Sequence, residues 1–192
     1  MKSVKKYYSS MIFLLLCSFA AHQSAAAQNV LSPQEKLMIL EFEKRAKDYS
    51  KLRESIEEKL PKLSKEATAE QIEAHKITFR KAVQSARSEA KRGDIFIPEI
   101  AVLIRKIIRN VFQGKDRIEL RKTVFEAETQ GVPLRINYPY PETKEKIEMP
   151  PALLLNLPQL PKQLRYRFVG NNLLLVDREN GLIVDYMTNA LP

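Results

Sequence analysis

Cysteine occurs once in the 192 residues, tryptophan not at all, histidine twice and glycine five times. Each scarcity removes a class of chemistry. The one cysteine, Cys17, lies inside the apolar N-terminal run "MIFLLLCSFAA". If that run is removed as a leader, the rest of the chain has neither disulfides nor thiol chemistry. His75 is then the one histidine left, with no second histidine and no cysteine at metal-ligand spacing. Histidine-based triads lack a cysteine nucleophile and a serine elbow. Five glycines supply no glycine-rich phosphate loop. A serine–lysine pair is the hydrolytic arrangement that composition leaves open, but the serines fall in helical or capping positions. No cofactor or metal site is predicted.

What is present begins with export signals. Lys2, Lys5 and Lys6 precede an apolar core of about ten residues, the length of a signal-peptide h-region and too short to span a bilayer. Ala25, Ala26 and Ala27 give the small-residue cleavage pattern, so residues 1–27 read as a signal peptide and the mature chain as 28–192. A lipid anchor on Cys17 is the rival reading, and Leu16 in front of it argues against acylation. Losing three lysines and no acidic residue lowers the net charge from +9 to +6. A mildly basic chain with both signs interspersed permits anionic partners without specifying one. An exported domain without disulfides relies on its core, and the mature length is enough for one. The expected location is periplasmic or secreted.

The segment 28–130 reads as helical. Ser32-Pro33 with Glu35 forms a helix start, followed by Met38, Phe42, Tyr49, Leu52, Ile56 and Leu60 at helical spacing up to Pro61. Thr68 with Gln71 forms a second capping box, and Ile72, Phe79, Val83, Ala86 and Ala90 continue the stripe to a stop at Gly93. A third helix opens at Pro98 and runs over 98–113, stopping at Gly114. A fourth runs from Asp116, boxed by Glu119, to about Thr129. Successive long helices joined by short loops should pack antiparallel.

Composition changes after Gly131, where eight of the eleven prolines lie. Within 131–192, "PLRINYPYP" reads as an extended edge segment, because proline cannot donate to a sheet ladder. "PPALLLNLP" reads as a short helix started by Pro151. In "LRYRFVGNNLLLVDRENGLIVDYM", three apolar runs are cut by turns at Asn171-Asn172 and Asn180-Gly181, which tolerate the positive φ of tight hairpins. Leu173 to Val176 is apolar on both faces, as in a strand covered from both sides. Helical hairpins followed by a three-stranded antiparallel meander make an α+β fold in one domain.

Four sets of residues carry candidate chemistry. Asp177, Glu179 and Asp185 flank the last hairpin with Arg165 and Arg167 one strand away. This polar cluster is expected to make cross-strand ion pairs on the solvent face, with acid–base work by the carboxylates as the functional alternative. Arg105, Lys106 and Arg109 face away from the apolar stripe of the third helix and could meet anionic lipid. The plainer reading is a core helix with solvated cations. "RGD" at 92–94 suits a helix stop and turn better than adhesion. His75 reads as a boundary residue on the second helix. Nucleic acid is not expected as a partner, given export and the want of an aromatic–basic platform.

"LPKQLRYRFVGNNLLLVDRENGLIVDYMTNALP" and "KRGDIFIPEIAVLIRKIIRNVFQG" together resemble a group of uncharacterised exported bacterial proteins with the same helix-then-meander order. The likeness covers most of the mature chain and implies the α+β fold and export, but no catalytic residues. Residues 164–186 are also similar to the C-terminal ends of periplasmic nickel and cobalt homeostasis proteins, which place a Val-Gly turn before an apolar strand and a glycine turn. The histidine-rich character of those proteins is absent here. The expectation is an exported, non-enzymatic envelope protein that binds a protein or an envelope polymer. The alternative is a peripheral binder of anionic membrane, and less favoured is an enzyme of unfamiliar type around Asp177 and Asp185.

Overall fold

The caps read from sequence set the first two helices. In a computed structural model describing residues 31–113, 118, 122, 133–141 and 149–191, α1 spans Pro33–Glu57 and α2 spans Ala69–Ala86. Ser32 and Glu35 exchange side chain-to-backbone hydrogen bonds at the start of α1, and Thr68 and Gln71 do the same at α2. Each box satisfies two of the amide groups that a helix start leaves without partners. α3 spans Pro98–Val111 and opens on proline at its first position. A one-turn helix, α4, spans Pro151–Leu154. The expected fourth helix, Asp116 to about Thr129, lies outside the described residues except for helical positions 118 and 122. The proposed leader, with Cys17, also lies outside them.

Two helix ends differ from expectation. α1 gives way at Glu57 to a tighter turn, with Lys59 and Leu60 amides bonding to Ile56 and Glu57 carbonyls ahead of Pro61. α2 stops at Ala86 rather than at Gly93. The reason lies in the sheet. The Arg87 guanidinium reaches away to Asn137 Oδ1 and the Val184 carbonyl, while the amides of Gly93, Ile95 and Phe96 all turn towards one carboxylate, Asp185. Those amides cannot also serve a helix.

α1 is the central helix. Arg53 lies over the Phe79 ring and Arg87 over the Tyr49 ring, so α1 and α2 run in opposite directions, as expected. Arg45 bonds to the Asp94 carbonyl and Lys106 to Glu35, which sets α3 antiparallel to the first half of α1. Phe42 meets the tilted ring of Phe96 at 5.5 Å and stacks on Tyr166 at 6.3 Å between centroids, and so joins the helices to the sheet.

The sheet is the predicted meander: β1 Leu164–Val169, β2 Asn172–Asp177 and β3 Ile183–Met187, antiparallel in the order β1-β2-β3. The first hairpin loop is Gly170-Asn171, and Gly170 rather than an asparagine carries the positive φ, 52°. In the second turn Gly181 does so, at 74°. β2 is covered on both faces. Leu173 and Leu175 join the main core with the helices, and Leu174 and Val176 join a second cluster with Tyr140, Val169 and Ile183. The proline-rich segment supplies part of that second layer. It lies along β3 through a bridge between Pro139 and Leu182 and amide bonds to the Ile183 and Gly181 carbonyls. Asn137, at φ 64°, is pinned there by Gln84 of α2 and by Arg87 just after it.

Candidate functional site

The polar cluster expected on the solvent face does not form there. Register explains why: Asp177 stands opposite Leu164 and Asp185 opposite Leu175, so both aspartates share the helix-covered face, while Arg165 and Arg167 stand opposite Val176 and Leu174 on the other face. Both aspartates are fully buried.

Asp177 joins the last hairpin to the first helix. Its Oδ2 accepts from Tyr49 Oη at 2.7 Å and from Arg53 Nε at 3.0 Å. Its Oδ1 accepts from the amides of Glu179 and Asn180, closing the turn. Arg53, 4 % exposed, donates its other nitrogens to Glu57 and Glu179. Burial, and then the Asp177 charge, push the Tyr49 hydroxyl far above the usual phenol range. A buried carboxylate, guanidinium and phenol satisfied in this way fix geometry and leave no group facing a substrate.

Asp185 organises the loop before α3. Four backbone amides converge on its carboxylate, those of Gly93, Ile95, Phe96 and Tyr186, at 2.7 to 2.9 Å. Burial raises its carboxyl above the ordinary range, and the amide bonds draw it back down. The RGD triplet is absorbed into this loop. Gly93 donates to Asp185, Asp94 caps the Lys91 amide, and Arg92 lies over the Tyr186 ring.

The three cations of α3 are separated in role. Arg105 donates to the carbonyls of Thr188 and Asn189 and clamps the C-terminal tail. Lys106 is paired with Glu35 at 2.6 Å, and Arg109 is exposed. The apolar face of the helix, Ile100, Leu103, Ile104, Ile107 and Ile108, is in the core. A bilayer would therefore meet charge and one exposed apolar side chain, Val102, on this helix. His75 is half-buried on α2, and among the described residues no three His, Cys, Asp or Glu side chains are grouped as a metal site.

What remains is a groove of about 540 Å³ beside β1. Pro158, Leu160 and Pro161 form one wall, and Leu164 and Tyr166 of β1 stand across from it. Lys162, Arg165, Arg167 and Arg178 bring four cations to it, and none of its described lining residues is acidic. Lys162 and Arg178 also border an adjacent hollow with Glu54, Glu57 and Glu179, where Arg53 holds Glu57 and Glu179 and Gln163 holds Glu54. Arg165 is half-buried, and its Nε has no hydrogen-bond partner among the described residues. Burial, then the neighbouring Arg167 and Arg178 charges, depress its guanidinium, and Asp177 offsets this only in part. Like charges this close leave a site short of negative charge.

Sequence reading found Arg165 and Arg167 but attached them to the wrong partners, and it missed Arg53 and Arg178. Arg53 was detectable as the next member of the Phe42, Ala46, Tyr49 stripe, at spacings of four, three and four residues. Arg178 carried no signal beyond its place in a turn, because only the pairing of β1 with β2 brings it beside Leu164 and Arg165. Comparisons with protein-family models, with curated proteins and with solved structures find no match to this chain, so a functional reading rests on the groove and its charge.

Proposed function

We propose that this chain is an exported, non-enzymatic envelope protein that binds a protein or an envelope polymer, with the groove beside β1 as its contact surface. The observation that carries this reading is four cations on one groove with no carboxylate among the described lining residues. The lysine-rich N-terminus, apolar run and alanine triplet before Gln28 support export. An enzyme built on Asp177 and Asp185 gains no support, since both are buried and fully engaged with the fold. A membrane-surface role through α3 is left with Lys106 and Arg109, exposed charges whose attraction to lipid is screened by salt.

The test is site-specific photo-cross-linking in intact cells, with the probe at position 162 in the groove or at exposed position 73 on α2. A protein or polymer adduct formed from 162 and not from 73 is the expected result. Adducts with lipid alone, or none from either position, would overturn the reading. N-terminal sequencing of the isolated chain should begin at Gln28.

A further inference from the structure

We propose that the groove beside β1 takes an extended acidic peptide segment of a partner protein, one that presents carboxylates and apolar side chains together. This deepens the binding reading above and rests on it.

The first ground is charge. Arginine presents a planar fork that meets a carboxylate with two parallel bonds, and Arg165 and Arg178 both line this groove, with the exposed Lys162 at its rim.

The second ground is the apolar part of the lining. Met149, Leu154 and Leu160 line the same groove, and Leu154 is 50 % exposed. Its neighbour Leu155, 87 % exposed, extends the apolar surface beyond it. Exposed leucines beside cations suit a partner that is anionic and apolar at once. A phosphate polymer has no group for the leucines. A flat lipid surface does not enter a concave site. A neutral glycan would want acceptor carboxylates and an open aromatic face, whereas the Tyr166 hydroxyl is spent on the Pro158 carbonyl and its ring is buried.

The third ground fixes how the peptide is held. β1 is at the sheet edge, the usual place for a partner to add a strand. Here the Leu164 amide already bonds to the Pro161 carbonyl, and its carbonyl accepts from Arg178 Nε. Tyr166 and Phe168, the next residues facing the edge, are 4 % and 2 % exposed. Backbone addition is closed off, so recognition falls on side chains.

The test uses the mature chain, 28–192, and fluorescence anisotropy of a labelled peptide of alternating glutamate and leucine. A lysine–leucine peptide, inorganic polyphosphate and phosphatidylglycerol vesicles are the comparison probes. The expected result is binding of the glutamate–leucine peptide that weakens as salt rises to about 0.15 M. Lys162→Glu with Arg165→Glu should weaken it by about tenfold or more, and Lys106→Glu with Arg109→Glu, an equal change of charge on α3, by less than about twofold. Arg178 is left unchanged because its Nε holds the Leu164 carbonyl, and circular dichroism of each variant checks the fold. Equal weakening by both pairs, no binding of the peptide, or tighter binding of polyphosphate or vesicles than of the peptide would each overturn the proposal. If the peptide fails while position 162 still cross-links a partner in cells, the acidic-peptide assignment falls and the binding reading stands.

Discussion

Asp177 answers to three parts of the molecule at once: a phenol and a guanidinium from α1, and the amides of its own turn. Removing one member of a buried charged set leaves the others unpaired in a medium that cannot solvate them. Asp177→Ala should therefore cost about 3–5 kcal/mol, read as a lowered urea midpoint with the slope unchanged. Asp177→Asn keeps an acceptor for the turn but strands Arg53. Adding Arg53→Met to Asp177→Asn should recover part of that loss, and a further loss of similar size would mean that the pair is not coupled. The sequence marked Asp177 as chemically interesting for a reason the structure replaces. Alternation along β2 could not say which face was covered, because Leu173 to Val176 is apolar at every position. Without that phase, the aspartate after the run had no assignable side. Arg53 was hidden for the opposite reason, since a cation at a stripe position reads as exposed until its partner, 124 residues away, is known.

At the scale of elements, the local signals were the most legible. Both capping boxes and the proline starts of α1, α3 and α4 were readable from a few adjacent residues, because each depends on groups within one turn. Helix ends were less so, since Asp185 rather than Gly93 decides where the chain after α2 goes. The start of α1 also carries a pH signature. Lys106, and then the Ser32 amide, hold the Glu35 carboxyl below its ordinary value. A carboxyl depressed in the folded state contributes stability above its unfolded value and loses it as pH falls through the lowered folded value. An NMR titration of the Glu35 side chain should find this depression, and Lys106→Met should move the midpoint upwards. The hairpins supply another check. At Gly170 and Gly181 an added Cβ meets nothing within 4 Å, so any cost of alanine comes from backbone conformation alone. Gly170→Ala and Gly181→Ala should each lower stability by about 1–2 kcal/mol in thermal unfolding, despite the open space. An unchanged Tm would show that the turns relax without cost.

At the scale of the whole molecule, the meander is sandwiched. The helices cover one face and the segment around Ile136 and Tyr140 helps to cover the other. Leu175→Ala and Leu174→Ala should thus both cost about 2–5 kcal/mol, although they point in opposite directions. A sheet with one wet face would tolerate the second change within about 0.5 kcal/mol. The α+β order followed from sequence because it needs only the succession of periods. The groove did not, since its cations come from β1, the turn after β2 and the segment before β1. Lys162, Arg165 and Arg167 are close in sequence, but nothing in their spacing shows that Arg178 joins them or that Pro158 to Pro161 walls them in.

The join between Arg53 and Asp177 also sets a timetable. A chain that emerges N-terminus first presents α1, with its stripe broken by a cation, long before the hairpin that receives that cation exists. Until β2 and its turn arrive, the helix has no place to hide Arg53, and until β3 follows, the amides of Gly93, Ile95 and Phe96 have no Asp185 to meet. The closures on Asp177 and Asp185 wait for the last hairpin, and contacts of such long separation form late and slowly. Arg53 and the loop before α3 in this sense stay open until that hairpin is made.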